Sequence, residues 1–192
     1  MISFFCSKLP TKYDGSQLSS LWAYRNFGVQ GDSIVMFRGP CAVSTGKMVD
    51  MEDVLQNAPI YSEDMLHFII EHFDTMDLEK TVTRQHLFIA IIAEIINQQL
   101  PRADKLIRRR GDDLFLEERK LSVSIATLTP VSTIIHTGLN VKSENTPVPT
   151  VGLSDLGFVE QRIMLLGQQI ARNYIDELQQ IKAARSKVRG VG

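Results

Sequence analysis

Cysteine is scarce in this chain, with only Cys6 and Cys41 among 192 residues. Two cysteines cannot form a disulfide framework, and their spacing suits no zinc site. An excess of charge is also missing. Lys and Arg number 21 against 22 Asp and Glu, a formal net charge of −1. No global field therefore steers the chain toward nucleic acid or a membrane surface, and no nucleic-acid partner is expected. No apolar run reaches the roughly 18 residues of a spanning helix. The opening "MISFFCSKLP" lacks the basic start and small-residue cleavage site of a signal peptide, so no membrane association and a cytoplasmic location are expected. Walker and dinucleotide glycine fingerprints are absent, as are repeats and low-complexity linkers. What remains is 44% hydrophobic and long enough for a substantial core, which predicts a single domain over 1–192.

The order of elements follows from periodicity and turn chemistry. After the turn signal Tyr13-Asp14-Gly15, the segment "SQLSSLWAYRNF" has Leu18, Leu21, Trp22 and Phe27 near helical spacing, with Ser16 as candidate N-cap. "DSIVMFRGPCAV" alternates as a strand, with a bulge, strand end or loop at Gly39-Pro40 because Pro40 cannot donate to a ladder. "MLHFIIEHF" reads as a strand on its β-branched and aromatic content. "TRQHLFIAIIAEIINQQLP" is a buried helix, capped by Thr83 and closed by Pro101. A hairpin turning at Glu118-Arg119 follows, then the strand "VSTIIHTGLNV" and a loop stiffened by Pro147 and Pro149. A helix from about 158 to 187 carries Ile163, Leu166, Ile170, Tyr174, Leu178 and Ile181 on one stripe. Such a helix projects or packs on a partner subunit, which makes a homo-oligomer the expected state. Grouped strands with hairpin connections predict α+β, a mainly antiparallel mixed sheet flanked by helices.

The chemistry concentrates in "RRRGDDLFLEERKLSVSIAT". Strand alternation puts Leu121, Val123 and Ile125 on one face, and Lys120, Ser122, Ser124 and Ala126 on the other. The expectation is that the large face packs on a helix while the small face leaves a ligand cavity reached by Lys120. An ammonium suits a carboxylate, a phosphate or an oxygen on which charge develops. Asp112 and Asp113 are near enough to orient an amine or hold Mg²⁺, with Asp113 the candidate metal ligand. On the next strand His136, Gly138 and Asn140 share a face, and Gly138 allows close approach of a backbone or ligand. A metallohydrolase built on His67, Glu71 and His72 is disfavoured, because the histidine spacing is wrong for a zincin helix.

The series "GDDLFLEERKLSVSIATLTPVSTIIHTGLNV" resembles the core of the biotin and lipoate protein ligases. Their pattern runs Arg-Asn-Asp-Leu, a hairpin, Arg-Lys-Ile-Ser-Gly-Ser-Ala, and a strand with Gly-Ile-Asn-Val. "FRGPCAVSTGKMVD" occupies the place of their glycine-rich segment, and the collinear likeness spans about Ser33 to Gly157. With "YDGSQL", "GPCAV", "MLHFIIEHF" and "KLSVSIAT", the whole chain also resembles the family called domain of unknown function 366. The resemblance implies a ligase-like fold of the class II synthetase type. It implies a ligase-like or acyltransferase-like activity on a carboxylate-bearing small molecule, with ATP and Mg²⁺ as cofactors. Lys120, Arg38 and Asp113 would be catalytic. Gly39, Pro40, Cys41, Asp112, Ser122, Ser124, His136, Gly138 and Asn140 would bind substrate or nucleotide.

The chain departs from that pattern. Gly39-Pro40-Cys41 replaces a triple glycine, and Pro40 has no amide hydrogen to offer a phosphate. Val123 replaces the glycine between the two serines, and the accessory C-terminal domain of many lipoate ligases is not expected here. These departures support an alternative, a non-catalytic protein that keeps the cavity and binds a small molecule. Cys41 near Arg38 is either an activated thiolate or a buried structural cysteine.

Overall fold

The computed structural model describes residues 2–7, 11–100 and 106–191. A sheet of five strands runs β1 (Ser3–Cys6), β2 (Ser33–Val43), β3 (Ile60–His72), β8 (Thr133–Asn140) and β7 (Ser122–Leu128) in spatial order. Only β1 and β2 pair in parallel; the other neighbours are antiparallel. A second sheet of three short strands, β4 (Arg108–Arg110), β5 (Asp113–Leu116) and β6 (Arg119–Lys120), forms the hairpin region. Among the described residues four α-helices accompany the sheets: α1 (Trp22–Phe27), α2 (Met51–Gln56), α3 (Leu78–Gln99) and α4 (Glu160–Arg185). This is the expected α+β class with a mainly antiparallel mixed sheet flanked by helices.

The sheet has two covered faces, and strand alternation divides their residues. On one face Met36, Leu66, Phe68, Ile135 and Leu139 pack against Phe88 and Ile92 of α3 and Tyr174 of α4. On the other, Val35, Phe37, Met65 and Ile69 pack beneath Tyr13 and Trp22. Because β3 is central and buried on both sides from Met65 to His72, its apolar run is nearly continuous. Each fully buried large aliphatic side chain there contributes roughly 1.5–3 kcal/mol.

Several boundaries differ from expectation for local reasons. The buried helix starts at Leu78, because the Asp77 carboxylate accepts from the Lys80 N–H and caps it. Thr83 lies inside the helix and bonds the Glu79 carbonyl. The first turn escapes a periodicity search because Leu78 and Val82 are exposed. Pro101 lies outside the described residues. Ser16 does not cap α1 but donates to Asp14 at 2.5 Å. That helix begins after Leu21, held at φ +60° with its N–H on the buried Glu71 carboxylate. The hairpin turns one residue early, at Glu117 with φ +56°. β2 passes through Gly39-Pro40 with a register shift, the bulge that Pro40 required.

Candidate functional site

Lys120 stands where two hollows meet, one of about 280 Å³ and one of about 110 Å³. The larger is polar. Val123, Ile125 and His136 line it from the sheet, Asp50, Glu52 and Asp53 from around α2, and Asp112 and Asp113 from the hairpin region. The smaller is an apolar slot with Pro59, Ile60, Met65, Val123, Pro147 and Val148 in its walls. Ser62 also lines the slot; it is buried, and its hydroxyl has no hydrogen-bond partner among the described residues.

The backbone fixes Lys120 at this junction. Its N–H donates to the Pro149 carbonyl at 3.0 Å, and its own carbonyl accepts from Val151 at 3.1 Å and from the Asn140 side chain at 3.2 Å. The ammonium lies 2.7 Å from Asp113. Burial pushes the Asp113 carboxyl up to about 6, against the opposing pull of Lys120, with Asp112 and Asp53 adding to the rise. Burial and the neighbouring Asp50 also raise Asp53. Asp112 accepts from the Gln85 amide at 2.8 Å.

The faces of β7 are the reverse of the expectation. Ser122, Ser124 and Ala126 look toward the helices: Ser124 bonds Gln85 of α3 at 3.0 Å, Ser122 accepts the Leu114 N–H, and Ala126 packs on the helix-side core. Small residues are needed there because α3 approaches closely. Val123 and Ile125 face the other way and line the polar hollow. Leu121 lies between β6 and β7 and is buried in the helix-side core, as is Leu139, the partner of Ser122. Two successive residues thus turn to one side. The slip in alternation sends Lys120 to the same side as Val123.

Of the sequence-derived candidates, Asp112, Asp113, Lys120, Ser124 and His136 line the polar hollow, and Ser122 and Asn140 the slot. Gly138 lies beneath, where a Cβ would meet Met65 at 2.9 Å and His67 at 3.3 Å. Arg38 is on the opposite face of the sheet. Asp64 takes its guanidinium at 2.9 and 2.5 Å, and Glu160 at the start of α4 binds its other edge. Gly39, Pro40 and Cys41 line neither hollow. A Cβ at Gly39 would lie 2.3 Å from the Thr11 carbonyl oxygen, so the preceding chain is laid directly over this segment. Tyr13 donates to the Pro40 carbonyl and accepts from the Ala42 N–H, both at 2.9 Å. Cys41 is fully buried, and burial pushes its thiol up to about 12, which disfavours the thiolate.

Tyr13 and His136 line the inner wall of the polar hollow, and His67 is buried behind them. Tyr13 stacks on His136 with centroids 3.5 Å apart, and His136 Nε2 lies 3.1 Å from His67 Nδ1. His67 Nε2 lies 3.1 Å from the Gly39 carbonyl, which can only accept. Burial holds both imidazoles neutral, His67 at about 3 and His136 well below the usual range. The tautomers follow: His67 carries its proton on Nε2 and His136 on Nε2, which leaves a lone pair on His136 Nδ1.

The His67, Glu71 and His72 set does not converge. His67 faces the Tyr13 side, Glu71 accepts from Leu21 and Ser132, and His72 meets the Tyr174 hydroxyl at 3.0 Å. Among the described residues the one trio at metal-ligand spacing is Asp32, His72 and Asp74. Arg84 grips both Asp74 oxygens at 2.7 Å, so that cluster is an ion-pair network. Asp113 belongs to no such trio. The acids of α2 escaped the sequence reading because this helix has no buried residue and hence no apolar stripe. Its signal was the Asp50 cap followed by Glu52 and Asp53 in the first turn.

This fold is that of the biotin and lipoate protein ligases. Biotin protein ligase from Aquifex aeolicus, in complex with biotin and ATP, matches with a TM-score of 0.58 at 10% identity, over 93% of this chain and 72% of that one. Lipoate-protein ligase A bound with ATP matches at 0.56 and 15%, over 93% and 86%. More specifically, the chain belongs to the domain of unknown function 366 family, whose model matches residues 2–189. An uncharacterized protein of Methanocaldococcus jannaschii is 40% identical over 88% of this chain and 76% of its own length. A protein of unknown function from Pyrococcus horikoshi matches with a TM-score of 0.89 at 38% identity, over the whole of both chains.

Proposed function

We propose that this protein binds a small carboxylic acid or its acyl derivative and acts as an acyltransferase-like member of the ligase fold. The observation that carries the reading is the position of Lys120, an ammonium at the mouth of an apolar slot. The slot takes the apolar body of the acid, and Lys120 holds its carboxyl or carbonyl oxygen. Ser62, buried without a partner, meets a polar group at the far part of the ligand. Asp113, which titrates near 6, takes up a proton from solvent when the ligand's oxygen displaces it from Lys120.

The nucleotide of the relatives fits poorly. Pro40 has no N–H, the Ala42 N–H is spent on Tyr13, and Arg38 is committed to Asp64 and Glu160. The acyl group would therefore arrive already activated, as a thioester. The same facts favour one second reading, a non-catalytic carboxylate-binding protein. A homo-oligomer and a cytoplasmic location belong to the proposal as well.

Calorimetry with a panel of aliphatic and heterocyclic carboxylic acids tests it. Binding should be saturable and weakened at least tenfold by Lys120→Ala; no binding by any acid overturns the reading. Acyl-thioester turnover separates enzyme from binding protein. ATP–pyrophosphate exchange dependent on an acid would overturn the exclusion of nucleotide.

A further inference from the structure

We infer that the apolar slot selects a short acyl chain ending in a neutral oxygen function, a keto or hydroxyl group, with Ser62 as the residue that reads it. The inference rests on the acid-binding reading of Lys120 and adds what the far end of that acid must be. Backbone geometry supplies the first support. Cross-strand partners share a face of a sheet, and Ser62 is paired with Cys41 as Met65 is with Gly39. One residue separates these positions on β2 and two separate them on β3, so the extra residue of the bulge lies in β3, opposite Pro40. Without it Ser62, three positions from Met65, would point to the opposite face. The bulge turns it into the slot, which both residues line.

Once there, its hydroxyl is left over. Ser62 is 2% exposed and has no hydrogen-bond partner among the described residues. The other serine and threonine hydroxyls of the slot are engaged. Ser122 accepts the Leu114 N–H, and Thr146 and Thr150 bond each other and the Ser143 carbonyl. A buried hydroxyl without a partner is costly, and a ligand oxygen that accepts from it removes that cost. Charge decides what kind of oxygen this is. Asp53 and Lys120 line both hollows and so belong to their junction, and among the described residues no charged side chain lines the slot alone. A second carboxylate would be buried there without a counter-ion. Size sets the length. An apolar cavity of roughly 150 Å³ accepts a six-carbon ring, so the slot's 110 Å³ takes about five non-hydrogen atoms beyond the carboxyl.

Calorimetry on the full chain at neutral pH tests this with matched acids. Pentanoate is compared with 4-oxopentanoate and 5-hydroxypentanoate, which add one neutral oxygen, with glutarate for a charged end and with octanoate for length. At least one of the two oxygenated acids should bind about fivefold more tightly than pentanoate, and about tenfold more tightly than glutarate or octanoate. Ser62→Ala should abolish the preference and leave pentanoate affinity within about twofold. Without ligand this variant should melt no lower than wild type, because it deletes an unpartnered hydroxyl. The inference is overturned if neither oxygenated acid exceeds pentanoate, or if glutarate or octanoate matches the better of them. A preference that survives in Ser62→Ala, or a lower melting temperature of that variant, also overturns it. Lys120-dependent binding of pentanoate and octanoate alike refutes this inference and leaves the acid-binding reading standing; no binding by any acid refutes both.

Discussion

Replacing Asp113 with Asn isolates the electrostatic cost of the site. In the folded chain this carboxyl titrates near 6, against 3.8 for a free aspartate. Between those values the folded state holds more protons than the unfolded one, so the Asp113 contribution to stability falls as pH rises through the window from about 4 to 6. The rise from 3.8 to about 6 corresponds to about 3 kcal/mol. With 22% of the side chain exposed, solvent screening reduces this to about 2 kcal/mol. Asn carries no such titration. The Lys120 charge pair forms only as Asp113 ionises, and its pull is already contained in the value near 6; the neutral contact that Asn changes, to an ammonium 31% exposed, is worth under about 1 kcal/mol. Asp113→Asn should therefore gain about 2 kcal/mol on wild type between pH 4 and pH 7. At an m-value of about 2 kcal/mol/M this separates the urea midpoints by about 1 M. Paired urea titrations at unit pH steps measure it. A separation that stays constant from pH 4 to 7, or that grows in favour of wild type, refutes the assignment of desolvation as the dominant cause.

Three other outcomes follow from the geometry. Gly39→Ala drives a methyl against the Thr11 carbonyl and should cost about 1–3 kcal/mol, with loss of near-ultraviolet dichroism from Tyr13; an unchanged melting temperature would contradict the close approach. Iodoacetamide should modify at most one thiol in the native protein, Cys6, and both after unfolding, as read by intact mass; native labelling of Cys41 would show that it is not sealed. Arg38→Ala should destabilise by about 2 kcal/mol through the stranded Asp64 while leaving acid binding at the slot intact. A selective loss of binding at unchanged stability would return Arg38 to the site.

The parts of the fold legible in the chain are those with long-wavelength patterning. The buried helix, the apolar β3 run and the α4 stripe were readable because packing repeats along them. Of the stripe, only Ile181 is exposed, where the helix outruns the sheet. The Lys120–Asp113 pair was legible because one hairpin brings both together. The direction of the β7 faces was not, since a single non-strand residue, Leu121, inverts the phase of everything beside it. Nor could the fate of Arg38 be read, because its partners lie 26 and 122 positions away. The acids on α2 were hidden for a different reason: a short helix with no buried side chain has no amphipathic signature.

The walls of the two hollows come from positions spread between Tyr13 and Thr150. No short fragment contains either hollow, since the polar one draws on Tyr13 through His136 and the slot on Asp53 through Thr150, so binding competence needs most of the sheet in place. Contacts over such separations form slowly relative to helices, so neither binding surface exists until these distant segments have met.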